Sequence, residues 1–271
     1  MNQIANPGST IGEAIGALIE QEVNRIFDPI VRETDCVYIT AGKPNPKTGK
    51  ATKLLLKDRS GTEFNIDAVI ANTRMQPLVL IESKYIRYKK HNRDKGSWIC
   101  TAHYSLRHTF PTIRRSIAVL AGSWSQPSKK LMESFDISLY EVGFEHIRQV
   151  LASYQVDIAW GEKDRERVSQ ALRRWQTLSQ EQYAEIAFQL LGGIEQPLRK
   201  SLLGTLAPDA PREVSGVKVV IETNWGESNV YTFESLAEAL NFLESFDEED
   251  SLNDSQGPAL WQGDSTSTGQ G

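Results

Sequence analysis

Phe64-Asn65-Ile66-Asp67-Ala68-Val69-Ile70 is followed, across Asn72-Thr73-Arg74-Met75-Gln76-Pro77, by Leu78-Val79-Leu80-Ile81-Glu82-Ser83-Lys84. Both runs are apolar and β-branched, and the segment between them is rich in turn formers, so two adjacent antiparallel strands are the economical assignment. Side chains alternate along a strand with period two. Leu80, Glu82 and Lys84 therefore share one face, and Val79, Ile81 and Ser83 the other. Two opposite charges end a hydrophobic strand on the same side, with Asp67 available from the neighbouring strand. The arrangement suits a metal site, and taken alone it also suits an exposed ion pair at a strand end.

Asp67, fourteen residues and then Glu82-Ser83-Lys84 resemble the signature of the PD-(D/E)xK nuclease superfamily. The leading Pro is absent, since Ile66 stands before Asp67. Hard divalent cations take oxygen ligands and keep several waters, so two carboxylates and a backbone carbonyl form a suitable half-shell. The resemblance implies that Asp67 and Glu82 hold Mg²⁺, or Mn²⁺ in its place. It also implies that the Ser83 carbonyl completes the protein ligands and that Lys84 positions or polarises the attacking water. The metal would lower the pKa of that water and stabilise charge on the scissile phosphate.

A helix precedes these strands. Ser9 or Thr10 can act as N-cap, with Glu13 three residues after Thr10, and Ile11, Ile15, Leu18, Ile19, Val23, Ile26 and Phe27 recur at helical spacing. Gly16-Ala17-Leu18-Ile19-Glu20 resembles the Gly-x-x-x-Glu of many nuclease first helices, whose Glu points into the metal site. Glu20 either does the same, one turn beyond a Gly16 that lets the helix approach the sheet, or joins Glu22 on the solvated face.

Charge follows the motif. Lys84, Arg87, Lys89, Lys90, Arg93, Lys95, Arg107, Arg114 and Arg115 meet one acid, Asp94, with His91, His103 and His108 among them. Tyr85, Tyr88, Trp98, Tyr104 and Phe110 are interleaved. Such a run suits a phosphodiester track, with Lys89, Lys90, Arg93, Lys95, Arg107, Arg114 and Arg115 touching DNA; a solvated basic loop is the competing explanation. The formal net charge of −5 hides this polarity, because residues 219–271 carry eleven acids and no Lys or Arg. The preceding residues hold 30 basic against 24 acidic groups, a net of +6.

The 271 residues can bury a full core, and 39% hydrophobic content is ordinary for a soluble globular protein. Cys36 and Cys100 are too few for a disulfide framework or a Cys-type zinc site, and a reducing cytoplasm fits them. Met1 to Pro7 lacks the marks of a secretory signal, and no segment approaches the ~20 apolar residues of a membrane span.

In order, the patterns predict a helix at about Ile11–Arg32 and a strand at Asp35–Thr40. A turn at Gly42–Gly49 precedes strands at Lys53–Lys57, Glu63–Ala71 and Pro77–Tyr85. After the basic loop come a helix at about Thr112–Ala121 and a strand at Ile137–Val142. This order is what the resemblance implies for an α/β, restriction-endonuclease-like core: a mixed central β-sheet flanked by helices, occupying residues 1–144. Residues 145–213 read as a helical extension. Glu145–Tyr154 and Asp164–Leu191 are amphipathic, the second stopped by Gly192-Gly193, and Pro197 to Pro211 breaks the pattern. Residues 214–246 read as a small ββα appendage, and 247–271 as a disordered acidic tail.

The expected function is a Mg²⁺-dependent DNA endonuclease, restriction-like by first choice and a repair or recombination nuclease by second. A non-catalytic DNA-binding or interaction module is the alternative from another class. Double-strand cleavage by such an enzyme would suit a homodimer. No membrane partner is expected.

Overall fold

The computed structural model describes residues 6–42, 52–88, 92–161, 164–207 and 213–247. Lys89, Lys90, the Gly42–Gly49 turn beyond its first residue, and the tail beyond Asp247 lie outside the described residues. The chain divides into two compact units, residues 1–207 and 208–271.

The first unit is an α/β fold on a five-stranded mixed sheet. Its elements are α1 (Pro7–Arg32), β1 (Cys36–Ile39), β2 (Leu55–Lys57), β3 (Glu63–Asn65), β4 (Ala68–Asn72), β5 (Pro77–Ile86) and α2 (Asn92–Thr109). Then follow β6 (Arg115–Gly122), α3 (Gln126–Ser134), β7 (Ile137–Gly143), α4 (Phe144–Ser153), α5 (Arg165–Gln176) and α6 (Gln180–Leu206). The sheet order is β1-β4-β5-β6-β7, while β2 and β3 form a separate ribbon. β1 and β4 run antiparallel to their neighbours up to β5, and β5, β6 and β7 are parallel.

The sheet is covered on both faces. Val79 and Ile81 of β5, with Ile117, Val119 and Ala121 of β6, pack in one core with α1, α4, α5 and α6. On the other face, Leu80 and Val69 meet Ala102 and Leu106 of α2. Beside them, Ala118 and Leu120 meet Ile99 and Cys100 of α2 and Met132 of α3. The period-two reading of β5 thus places Leu80, Glu82 and Lys84 on the α2 side.

Several sequence expectations change. The helix expected at Thr112–Ala121 is the strand β6. Ile113, Ile117 and Leu120 fit a helical stripe, but Ser116 to Ala121 is buried throughout, as in a parallel strand covered on both faces. The basic loop is largely the helix α2, and a further helix, α3, capped by Ser125 with Pro in its first turn, stands where the sequence pattern suggests none. The strand expected over Glu63–Ala71 breaks at Ile66-Asp67: Ile66 N–H bonds the Leu54 carbonyl in the ribbon at 3.0 Å, and only from Ala68 does the chain enter the main sheet. α1 is capped by Asn6, whose side chain accepts from Ser9 N–H, instead of by Ser9 or Thr10.

The long helix predicted at Asp164–Leu191 is two helices. Ser179 and Gln182 form a reciprocal capping box that starts α6 afresh. Gly192-Gly193 does not stop α6, which runs through Pro197 to Leu206. Pro197 forfeits the bond to the Gly193 carbonyl, but Leu190, Leu191, Leu198 and Leu202 on the same helix are buried and hold it against the core.

Gly122 ends β6 at φ +93°, and a Cβ there would lie 2.1 Å from the Ile86 carbonyl oxygen. That oxygen also accepts the Ser123 N–H at 2.7 Å, so neither backbone can yield cheaply. Gly122→Ala is expected to lower stability by at least about 2 kcal/mol, measured as a shift in urea midpoint at unchanged slope. A shift within error would show that the strand end relaxes freely.

The second unit pairs β8 (Val217–Glu222) with β9 (Ser228–Phe233) and adds α7 (Leu236–Glu244). Phe242 of α7 packs its ring 4.5 Å from Tyr231 and 5.0 Å from Phe233. This is the ββα arrangement that the alternating strands and the following helix predict.

Candidate active site

The break between β3 and β4 creates the site. Ala68 pairs with Ile81, so the residue before it, Asp67, stands at the entry to β4 beside Glu82 and Ser83. Freed from ladder pairing, the Asp67 carboxylate accepts the Ser83 N–H at 2.8 Å. Within a strand the N–H and C=O of one residue point to the same edge, so the Ser83 carbonyl is directed towards Asp67 as well.

Lys84 closes the constellation. Its Nζ donates to both Asp67 oxygens, at 3.0 and 2.8 Å, and lies 2.8 Å from Glu82 Oε2. The second interaction is an ion pair out of line for a hydrogen bond, and Glu82 Oε2 has no hydrogen-bond partner. Glu82 is 3% exposed. Burial pushes its carboxyl up to about 8, the Asp67 charge adds to this, and Lys84 opposes it. Burial by itself would discharge the Lys84 ammonium, but Glu82 and Asp67 outweigh it and hold its pKa above the ordinary lysine value.

The donor set fits a hard cation. Asp67, Glu82 and the Ser83 carbonyl are all oxygen donors where β4 begins beside β5, and a buried carboxylate oxygen without a hydrogen bond is what a cation would satisfy. The Lys84 ammonium supplies the compensating charge in the metal-free arrangement. Among the described residues, no group of three or more His, Cys, Asp or Glu side chains is gathered for a metal.

Glu20 approaches from the other layer. It is half-buried on α1, and its carboxyl is raised first by burial and then by Asp67, against Lys84, so all three share one field. Gly16 is not needed for the approach of α1: a Cβ there would meet Tyr85 Cβ at 3.7 Å, an ordinary separation. Tyr38 of β1 donates to Asn24 Oδ1 at 2.6 Å, and its phenol is raised by burial and then by Glu20, Asp28 and Asp67.

The basic residues divide. Arg93 and Lys95 are exposed on α2, while Lys89 and Lys90 lie outside the described residues. Arg107 points Nη1 at the Phe135 carbonyl at 3.4 Å and Asp136 Oδ2 at 3.8 Å. Arg114 donates to the Thr205 carbonyl at 3.0 Å, and Arg115 to Thr205 Oγ1 and Ser138 Oγ at 2.8 and 3.1 Å. Arg115 pairs with Val79 and Leu120 with Lys84, so Arg115 is five residues, about 16 Å, along the sheet from the level of Lys84. Arg87 stacks over Trp160 at 4.0 Å and donates to the Ile158 and Trp160 carbonyls. Each of these arginines thus has an acceptor within the fold, which a charge count does not reveal.

One residue near the site has a placement that the sequence pattern does not suggest. His103 of α2 is fully buried, neither ring nitrogen has a hydrogen-bond partner, and its pKa is pushed down to about 3, first by burial and then by Arg107. Asp67 and Lys84 act on it too.

No helix among the described residues is long and apolar enough to cross a membrane. No protein-family model and no curated protein matches the chain. A solved structure of a protein of unknown function is similar at 14% identity and TM-score 0.31, over 68% of this chain and 99% of that one, a level of likeness that carries no argument.

Proposed function

We propose that the chain is a Mg²⁺-dependent DNA endonuclease of the PD-(D/E)xK type, with a restriction-endonuclease-like core and a restriction role by first choice. The observation that supports this reading is the convergence of Asp67, Glu82 and Lys84, with Lys84 Nζ within 3.0 Å of both carboxylates where the chain breaks between β3 and β4. A surface ion pair needs neither the burial of Glu82 nor the backbone clamp on Asp67.

When bound, the cation supplies a water of lowered pKa and stabilises charge on the phosphate. Asp67 is oriented by the Ser83 N–H, so its second oxygen is presented in a fixed direction. Asp67 and Glu82 would hold the cation in their ionised forms, with the cation in place of Lys84 as the compensating charge. Lys84, beside both carboxylates, would hydrogen-bond and orient the attacking water. Arg93 and Lys95 on α2, with Lys89 and Lys90 before it, engage phosphates.

Incubating the pure full chain with supercoiled plasmid and Mg²⁺ tests the reading. Discrete fragments support a restriction enzyme and a smear supports a nonspecific nuclease. An unchanged plasmid at every Mg²⁺ and Mn²⁺ concentration overturns the DNA-cleaving assignment.

The phosphate track has its own test. Changing Lys89, Lys90, Arg93 and Lys95 together to Ala is expected to weaken binding to all DNA sequences alike. The log–log salt slope should fall by about 0.9 for each phosphate that is no longer neutralised. A slope equal to that of the wild type would place the DNA surface elsewhere.

A further inference from the structure

We propose that His103 is a positioning residue for Glu82, joined to it and to Ser116 through one enclosed water beneath α2; the inference rests on the metal-dependent reading of the site.

The helical spacing puts His103 on the face of α2 that covers β5 and β6. On α2, Ile99 and Cys100 pack with Ala118 and Leu120 of β6, and Ala102 and Leu106 pack with Leu80 of β5. His103 lies between these two sets along the inward face of the helix. Leu80 pairs with Ser116 and Glu82 with Ala118, so the sheet beneath that part of the helix presents Glu82 and Ser116 on the α2 side. Asp67 and Lys84, which touch Glu82's end of the site, both act electrostatically on His103, and Arg107 is the further charge facing it.

All three side chains are shut away from solvent: His103 and Ser116 are 0% exposed and Glu82 3%. Both His103 ring nitrogens and Ser116 Oγ have no hydrogen-bond partner, and Glu82 Oε2 meets only the Lys84 ammonium, as an ion pair at 2.8 Å. Each such buried group costs about 1–3 kcal/mol if left bare, and native folds rarely leave several together. One buried water with three partners would serve Glu82 Oε2, Ser116 Oγ and one of the two His103 ring nitrogens. The His103 N–H and the Ser116 O–H donate to the water, and the water donates to Glu82 Oε2. The carboxylate is thereby held in one orientation and its ionised form is hydrogen-bonded, which a cation ligand requires.

Calorimetric titration of the full chain with Ca²⁺ tests this without turnover. His103→Leu is expected to weaken Ca²⁺ binding on the order of 10-fold or more, and His103→Gln, which keeps an N–H donor, to restore most of it. Thermal unfolding establishes that both variants are folded. Independently, the imidazole ¹⁵N resonances of His103, one of four histidines, should move when Ca²⁺ is added to the wild type. Ca²⁺ affinity of His103→Leu equal to wild type, or His103 resonances indifferent to Ca²⁺, would overturn the proposal. Should the Leu variant not fold, the wild-type resonances decide. A wild type that binds no Ca²⁺ overturns the metal reading itself, whereas normal wild-type binding with an unaffected Leu variant overturns only the role of His103.

Discussion

Glu82→Gln and Asp67→Asn are each expected to lower Mg²⁺-dependent cleavage on the order of 10³-fold or more, because each removes a negative oxygen that holds the cation. Ca²⁺ should support DNA binding without turnover in the wild type. The two variants should part company in stability. The Glu82 carboxyl is raised by burial from its ordinary value near 4.5 to about 8. Its contribution to stability is therefore complete below pH ~4.5 and is lost as pH rises through about 8, while Lys84 stays protonated across that window. Glu82→Gln, which cannot ionise, should remove this decline in the metal-free protein and be more stable than wild type at pH 8 to 9. Asp67→Asn keeps an acceptor for Ser83 but strips Lys84 of its hydrogen-bonded counter-charge, so it should be less stable than wild type. Urea unfolding from pH 5 to 9 measures both, and parallel curves for wild type and Glu82→Gln would refute the assignment of the buried charge. Glu20→Gln, whose carboxylate shares the field from the opposite layer, is expected to lose far less activity.

Lys84→Ala is expected to reduce cleavage by roughly 10²–10⁴-fold while DNA affinity changes little, since its ammonium is engaged with two carboxylates and not with the phosphate track. Removing it also removes the charge that competes with a cation for Asp67 and Glu82. Ca²⁺ should therefore bind Lys84→Ala at least as tightly as wild type. The metal-free variant, left with two adjacent carboxylates and no neutralising group, should be less stable at high pH. Equal losses of binding and cutting would reduce Lys84 to an electrostatic partner of the DNA.

Much of the site is local and therefore legible in a single chain. Period two along β5 placed Leu80, Glu82 and Lys84 on one face, and the helical stripe of Ile15, Ile19, Val23 and Phe27 placed α1. The alternating strands and the helix of the second unit were legible for the same reason. Where local pattern is ambiguous, tertiary burial decided. Ser116 to Ala121 is apolar enough for a buried helix or a buried strand, and only its place between β5 and β7, with a helix layer on each face, makes it β6. Likewise Gly192, Gly193 and Pro197 signal a helix end, yet the leucines of α6 packed in the core override them. Three things depended wholly on the three-dimensional arrangement. The break at Ile66-Asp67 exists because Ile66 bonds into the β2–β3 ribbon and not the main sheet. Arg114 and Arg115 are two charges of a basic run in the sequence, and only the fold brings α6 close enough to give them Thr205. His103 is one histidine in a basic run until α2 folds over β5 and β6 and seals it beside the charges of the site. Sequence sets the periodicity and chemistry of each element; which groups are desolvated together, and hence whose charge must be shared, is set only when the layers close.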